Sequence, residues 1–127
     1  MEEALVSPIL VISAKWQTRA LLAAQIGEMV ERDVVSAASA TEALGLIKLG
    51  GVDPALMVVD AGQQLGVEDV ARVMEAKRET PVVLVVSRLR RDAFDALRGR
   101  ATATLVRPVS IGRITRTVIR VLEDAAG

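Results

Sequence analysis

The chain has 127 residues and a mass of 13.5 kDa, the size of one domain. It contains no cysteine and no histidine, which excludes disulfide frameworks, thiolate or His-ligated metal sites, thiol nucleophiles and imidazole acid–base catalysis. Sixteen basic and sixteen acidic residues cancel, yet residues 1–79 carry 7 basic and 12 acidic while 80–127 carry 9 and 4, so the chain is electrically polarised.

With 51% hydrophobic and 25% charged residues the chain can bury a core and stay dissolved, so a folded domain is expected over the whole of 1–127, with its core over about 8–123. One Trp (Trp16), one Phe (Phe94) and no Tyr leave little to stack on bases. The longest aliphatic runs, such as Val82 to Val86, fall far below the ~20 residues of a membrane span. The opening Met1-Glu2-Glu3 is acidic where a secretory leader is basic, and together these point to a cytoplasmic protein without a membrane partner.

Taken in order, the first β-type run is Ile9 to Ser13, followed by a helical period from Trp16 to Glu31 with Leu22, Ile26 and Val30 inward and Arg19, Glu28 and Glu31 toward solvent. A second strand, Val34 to Ala38, leads into a helix whose start is written in Ser39-Ala40-Thr41-Glu42 and whose end is Gly50-Gly51. The third strand, Leu56 to Asp60, precedes a helix over Val67 to Arg78. The fourth, Val82 to Ser87, precedes a short polar helix over Arg91 to Arg98 around Phe94 and Leu97. The fifth, Thr104 to Arg107, leads to a helix from Ile111 to Asp124, capped by Ser110, with Ile111, Ile114, Val118, Val121 and Leu122 inward and Arg113, Arg116 and Arg120 outward.

Continuous apolar strands are those covered on both faces, so the alternation predicts a parallel sheet in an α/β, doubly wound five-stranded fold of order 2-1-3-4-5. Ligands in that architecture meet the carboxyl edge, where Ser13, Ala14, Asp60, Ser87 and Arg107 end the strands. Asp60 can serve there as nucleophile, metal ligand or ion-pair partner, or cap a loop. Ser87 can bond a phosphoryl oxygen or a carboxylate, or start a turn. Arg107 precedes Pro108, which holds its backbone extended; its side chain either reaches over the rim to Asp60 or lies exposed on an edge strand. No Gly-rich loop follows the first strand, so nucleotide cofactors are not expected.

Asp60, Ser87 and Arg107-Pro108, in this strand order, resemble the receiver domain of two-component response regulators, and the resemblance runs from about Ile9 to Leu122. It implies a flavodoxin-like (βα)5 receiver fold, Asp60 at the phosphoacceptor position, Ser87 at the Thr/Ser position and Arg107-Pro108 at the Lys-Pro pair. The two acidic residues that hold Mg²⁺ in that family fall on Ser13 and Ala14. The switch aromatic falls on Thr104, and the loop from Ala61 to Gly66 lacks the Met-Pro that often follows the phosphoacceptor, although its glycines suit a mobile loop.

Mg²⁺ requires hard oxygen ligands, and phosphoryl transfer to a carboxylate requires Mg²⁺ to neutralise anionic oxygens. Without the acidic pair no cofactor is expected, and Arg107, a planar fork, is expected to grip Asp60 directly. The reading is a degenerate, or pseudo-, receiver. It is a non-enzymatic signalling module that contacts a protein partner such as a histidine kinase, an output domain or another signalling protein. The alternative is a phosphorelay regulator phosphorylated on Asp60, with Mg²⁺ held by carbonyls or another carboxylate. An independent enzyme lacks a general base.

Arg88, Arg90, Arg91, Arg98 and Arg100 cluster around the fourth helix, and Arg113, Arg116 and Arg120 share one stripe of the fifth. In a receiver these elements adjoin. Arg88, Arg91, Arg113, Arg116 and Arg120 are expected to form a partner face for an acidic surface or a homodimer, the alternative being a solvated face. Zero net charge and the lack of a recognition motif argue against nucleic acid.

Overall fold

In the computed structural model, which describes residues 7–126, β1 (Ile9–Ser13), β2 (Val34–Ala37), β3 (Leu56–Gly62), β4 (Val82–Val86) and β5 (Ala103–Val106) form one parallel sheet in the order β2-β1-β3-β4-β5. Between them run α1 (Trp16–Val30), α2 (Ala40–Lys48), α3 (Val67–Ala76), the single-turn α4 (Asp95–Arg98) and α5 (Ile111–Ala126). Met1-Glu2-Glu3 and Gly127 lie outside the described residues. Among those described, no helix is long and apolar enough to cross a membrane.

The apolar strands alternate between two cores. Ile9, Val11, Leu56, Val58, Val83 and Val85 pack with Leu22 and Ile26 of α1 and Ile114, Val118 and Val121 of α5. Leu10, Ile12, Met57, Val59, Leu84 and Val86 pack on the opposite face with residues of α2 and α3, Phe94 and Leu97. Because every second residue points to the same face, a strand buried on both sides reads as an unbroken apolar run.

Two helix starts, those of α2 and α5, are set by serine caps. The Ser39 hydroxyl accepts from Glu42 N–H at 3.1 Å, and the Glu42 carboxylate reaches back to Ala38 N–H at 3.2 Å, one residue before the cap itself. Ser110 caps α5 through Arg113 N–H at 3.0 Å. Thr115 and Thr117, absent from the predicted inward set of α5, are buried as well, because their hydroxyls donate to the carbonyls of Ile111 and Arg113.

Two expectations need correction. Asp60 does not end its strand: β3 continues to Gly62 through a register shift between Asp60 and Gly62, with Gly62 at φ +53° supplying the left-handed backbone. The fourth helix is also not one helix over Arg91 to Arg98. It consists of two 3₁₀ turns (Arg88–Arg90 and Asp92–Phe94) leading into one α-helical turn. So short a segment has little stability of its own and is held by burying Phe94 and Leu97.

Candidate functional site

Register and strand parity assemble the rim. Ser13 is the direct partner of Asp60 across the β1–β3 pair, and Asp60 is opposite Val85 in β4. Counting in twos, Ser13 follows Ile9 and Val11, Asp60 follows Leu56 and Val58, Ser87 follows Val83 and Val85, and Arg107 follows Ala103 and Leu105, all in the α1/α5 core layer. The four positions therefore rise on one side of the sheet at its carboxyl edge. They line a single cleft of about 560 Å³ together with Ala14, Lys15, Thr18, Gly62, Gln63, Gln64, Arg88, Leu89, Pro108 and Val109.

At its floor lies Asp60, 4% exposed. Arg107 grips it as a fork, with Nη2 3.0 Å from Oδ2 and Nε 3.4 Å from Oδ1. The Ser13 hydroxyl donates to Oδ2 at 2.9 Å. Both carboxylate oxygens are thus engaged by this chain's own donors, as expected for Arg107 and not foreseen for Ser13. The signal for Ser13 was available: a hydroxyl aligned by strand length opposite the only rim carboxylate.

Arg19, assigned to solvent from the helical period of α1, instead turns back and donates to the Ser13 carbonyl at 2.7 Å. It thereby bonds the carbonyl at the C-terminal end of β1. Ser13 therefore has its hydroxyl on Asp60 and its carbonyl on a guanidinium.

Ser87 accepts from Leu89 N–H at 3.2 Å and so starts the first 3₁₀ turn, the turn-forming use of this residue. Thr104 lies in edge strand β5, half-buried and opposite Leu84, on the layer of α2 and α3 rather than in the cleft. Pro108 follows Arg107 through a cis peptide bond.

The basic cluster near α4 divides. Arg98 pairs with Asp95 at 3.1 Å and Arg100 with Glu75 at 3.0 Å. Arg90 turns inward, donating to the carbonyls of Gly62 at 2.8 Å and Leu65 at 2.7 Å, with its guanidinium carbon 5.0 Å from the centre of the Phe94 ring. Arg88, Arg91, Arg113, Arg116 and Arg120 are exposed and make no ion pair among the described residues.

Arg90 also corrects the view of 61–66 as a mobile loop. Ala61 and Leu65 are buried, and two of the segment's carbonyls are held by one guanidinium. Arg90→Ala is expected to cost about 2 kcal/mol, the scale of charge-assisted hydrogen bonds lost from a part-buried site. Hydrogen exchange should accelerate at residues 61–66 and 88–94; unchanged protection there would show that the guanidinium does not hold the segment.

A scan of protein-family models and a search of curated proteins return no match. Solved structures do match. The receiver domain of NtrX from Brucella abortus aligns with a TM-score of 0.73 and 25% identity over 91% of this chain and 98% of that one. A CheY-like response regulator receiver domain from Methanospirillum hungatei aligns with a TM-score of 0.71 and 21% identity over 95% and 96%. A structure described as adenylate cyclase from Rhodopirellula baltica shares the same fold, with a TM-score of 0.77 and 18% identity over 94% and 89%. The strand order and helix layers are those of the response-regulator receiver fold, and this chain has that fold.

Proposed function

We propose that this chain is a receiver-fold module of two-component signalling that works by protein–protein contact, with Asp60 not taking a phosphoryl group in the Mg²⁺-dependent way. The observation that carries the reading is the Asp60 carboxylate, closed on both oxygens by Arg107 and Ser13.

The donor set does not fit magnesium, which requires near-octahedral oxygen ligands. Ala14 offers no side-chain ligand, the Ser13 carbonyl is bonded to Arg19, and among the described residues Asp60 is the sole carboxylate lining the cleft. A guanidinium replaces the charge that a cation would otherwise bring to Asp60.

Contact falls to the exposed arginines. Arg88 and Arg91 beside α4 with Arg113, Arg116 and Arg120 on α5 form a cationic surface free of internal ion pairs among the described residues. Arginine is enriched at interfaces, and such a surface suits an acidic face of a kinase, an output domain or another signalling protein. The acidic first half of a second copy offers the same complementarity for a homodimer.

The rival reading is a phosphorelay regulator in which Arg107 bridges a phosphoryl group on Asp60. It is supported by Asp60, Ser87 and Arg107 at three rim positions. Incubation with acetyl phosphate and Mg²⁺ followed by intact-mass spectrometry separates the two. The expected result is an unchanged mass for the natural chain, with a phosphoryl adduct recovered in the triple variant Ser13→Asp, Ala14→Asp, Arg107→Lys. An adduct on Asp60 of the natural chain would establish the relay reading instead.

A further inference from the structure

The outward face of α1 differs from that of the other long helix. α5 turns Arg113, Arg116 and Arg120 to solvent, whereas every exposed position of α1 except Glu28 is uncharged. Trp16, Leu21 and Met29 stand 65%, 59% and 56% exposed along it, with Ala20 and Ala24 between them. The inner face is already buried through Leu22 and Ile26. A helix that is apolar all round is one that is covered all round, and an exposed patch of this kind marks a contact surface. Beside the last turn, a groove of about 290 Å³ lined in part by Met29, Val30, Ile119 and Leu122 extends the apolar surface onto α5.

The charges at the two ends of α1 identify what covers it. The helix dipole favours acids at a helix start and bases at its end. α1 has the reverse, with no acid in its first turn and no base in its last. Exposed Lys15 sits at its start and exposed Glu28 and Glu31 at its end, none of them ion-paired among the described residues. A second α1 laid antiparallel on the first corrects both ends, since each helix start then receives the acidic end of the other. A two-fold axis between Leu22 and Ala23 sets Leu21 against Ala24 of the second copy, and Gln17, an amide donor, against its Glu28. Ala20 and Ala24 let the two helices approach closely. A parallel pairing would instead set Glu28 against Glu28.

We infer that two copies of this chain associate through antiparallel α1 helices, a surface that shares no residue with the arginine face. The helix is only about 22 Å long, so the interface lies at the low end of specific contacts. The dimer is therefore weak and reversible, with Kd on the order of 100 μM.

Sedimentation velocity of the full chain between about 10 μM and about 1 mM, a range that brackets this Kd, tests the inference. Trp16 is the chain's only tryptophan, so its emission over the same range reports on α1. The expected result is a monomer–dimer equilibrium with a blue shift of Trp16 as the dimer forms. Leu21→Glu sets like charges beside the two-fold axis and should abolish the dimer. The site is exposed, so the variant should keep the fold, which circular dichroism checks. Gln17→Lys places an ammonium opposite each Glu28 and should tighten the dimer roughly threefold.

A chain that stays monomeric at the highest concentration, a dimer that survives Leu21→Glu, failure of Gln17→Lys to tighten it, or unshifted Trp16 emission would each overturn the inference. So would a dimer lost instead in the double variant Arg113→Glu, Arg116→Glu, which would move self-association to the arginine face. No partner protein and no phosphodonor is present, so the outcome is independent of whether acetyl phosphate labels Asp60.

Discussion

Arg107→Ala should destabilise the protein by about 3 kcal/mol, lowering its melting temperature by on the order of 10 °C. Asp60 is a buried carboxylate, and removing its guanidinium leaves it with the Ser13 hydroxyl alone. Breaking a buried ion pair from one side typically costs about 3–5 kcal/mol; because Arg107 is itself 31% exposed, water can partly take its place, which favours the lower end. The double variant Asp60→Leu, Arg107→Met should recover most of the loss, since no charge is then left buried without a partner. Urea unfolding followed by circular dichroism measures both. A cost below about 1 kcal/mol for the single variant would mean the pair behaves as a surface salt bridge.

The second large effect is expected at Phe94, the chain's only phenylalanine and fully buried. Phe94→Ala should cost about 3–4 kcal/mol, through lost transfer free energy and the cavity left between the sheet and the 88–98 segment. The reason goes beyond its volume. Two 3₁₀ turns and a single α-helical turn have no hydrogen-bonded ladder long enough to persist alone, so the ring docks the segment that presents Arg88 and Arg91. Arg90 would lose its aromatic partner at the same time. Leu89→Ala, at a position 87% exposed, should stay within about 0.5 kcal/mol. Should hydrogen exchange across 88–98 remain protected in Phe94→Ala, the segment would be shown to fold without its anchor.

The functional consequence links the two variants. Arg107→Ala leaves both oxygens of Asp60 without their guanidinium while the cleft keeps Lys15 and Arg88. Phe94→Ala loosens the wall that carries Arg88. The first therefore alters the charge of the floor and the second the position of a side.

Much of this was legible in the residues because it depends on local order. Five β-type runs, three of them continuously apolar, separated by amphipathic periods imply a parallel sheet covered on both faces, and the β2-β1-β3-β4-β5 order was anticipated on that basis. The start of α2 and the Ser110 cap of α5 were legible because a cap is made within three or four residues. The Arg107–Asp60 pair was expected once the resemblance placed both residues at one carboxyl-edge rim. The 88–98 segment was not legible, because helical spacing over eight residues does not separate an α-helix from successive 3₁₀ turns.

Composition and periodicity alone determined the layers, the parallel sheet and the single rim carboxylate, since these follow from which residues must leave water and how often they recur along the chain. Tertiary structure alone decided where the long cationic side chains went. Arg19 bonds the end of β1, Arg90 bonds the end of β3 and the segment after it, and Arg88 lines the cleft without an ion pair among the described residues. Arginine reaches several residues in any direction, and its final partner is whichever unsatisfied oxygen the folded backbone brings within range, which no one-dimensional pattern records.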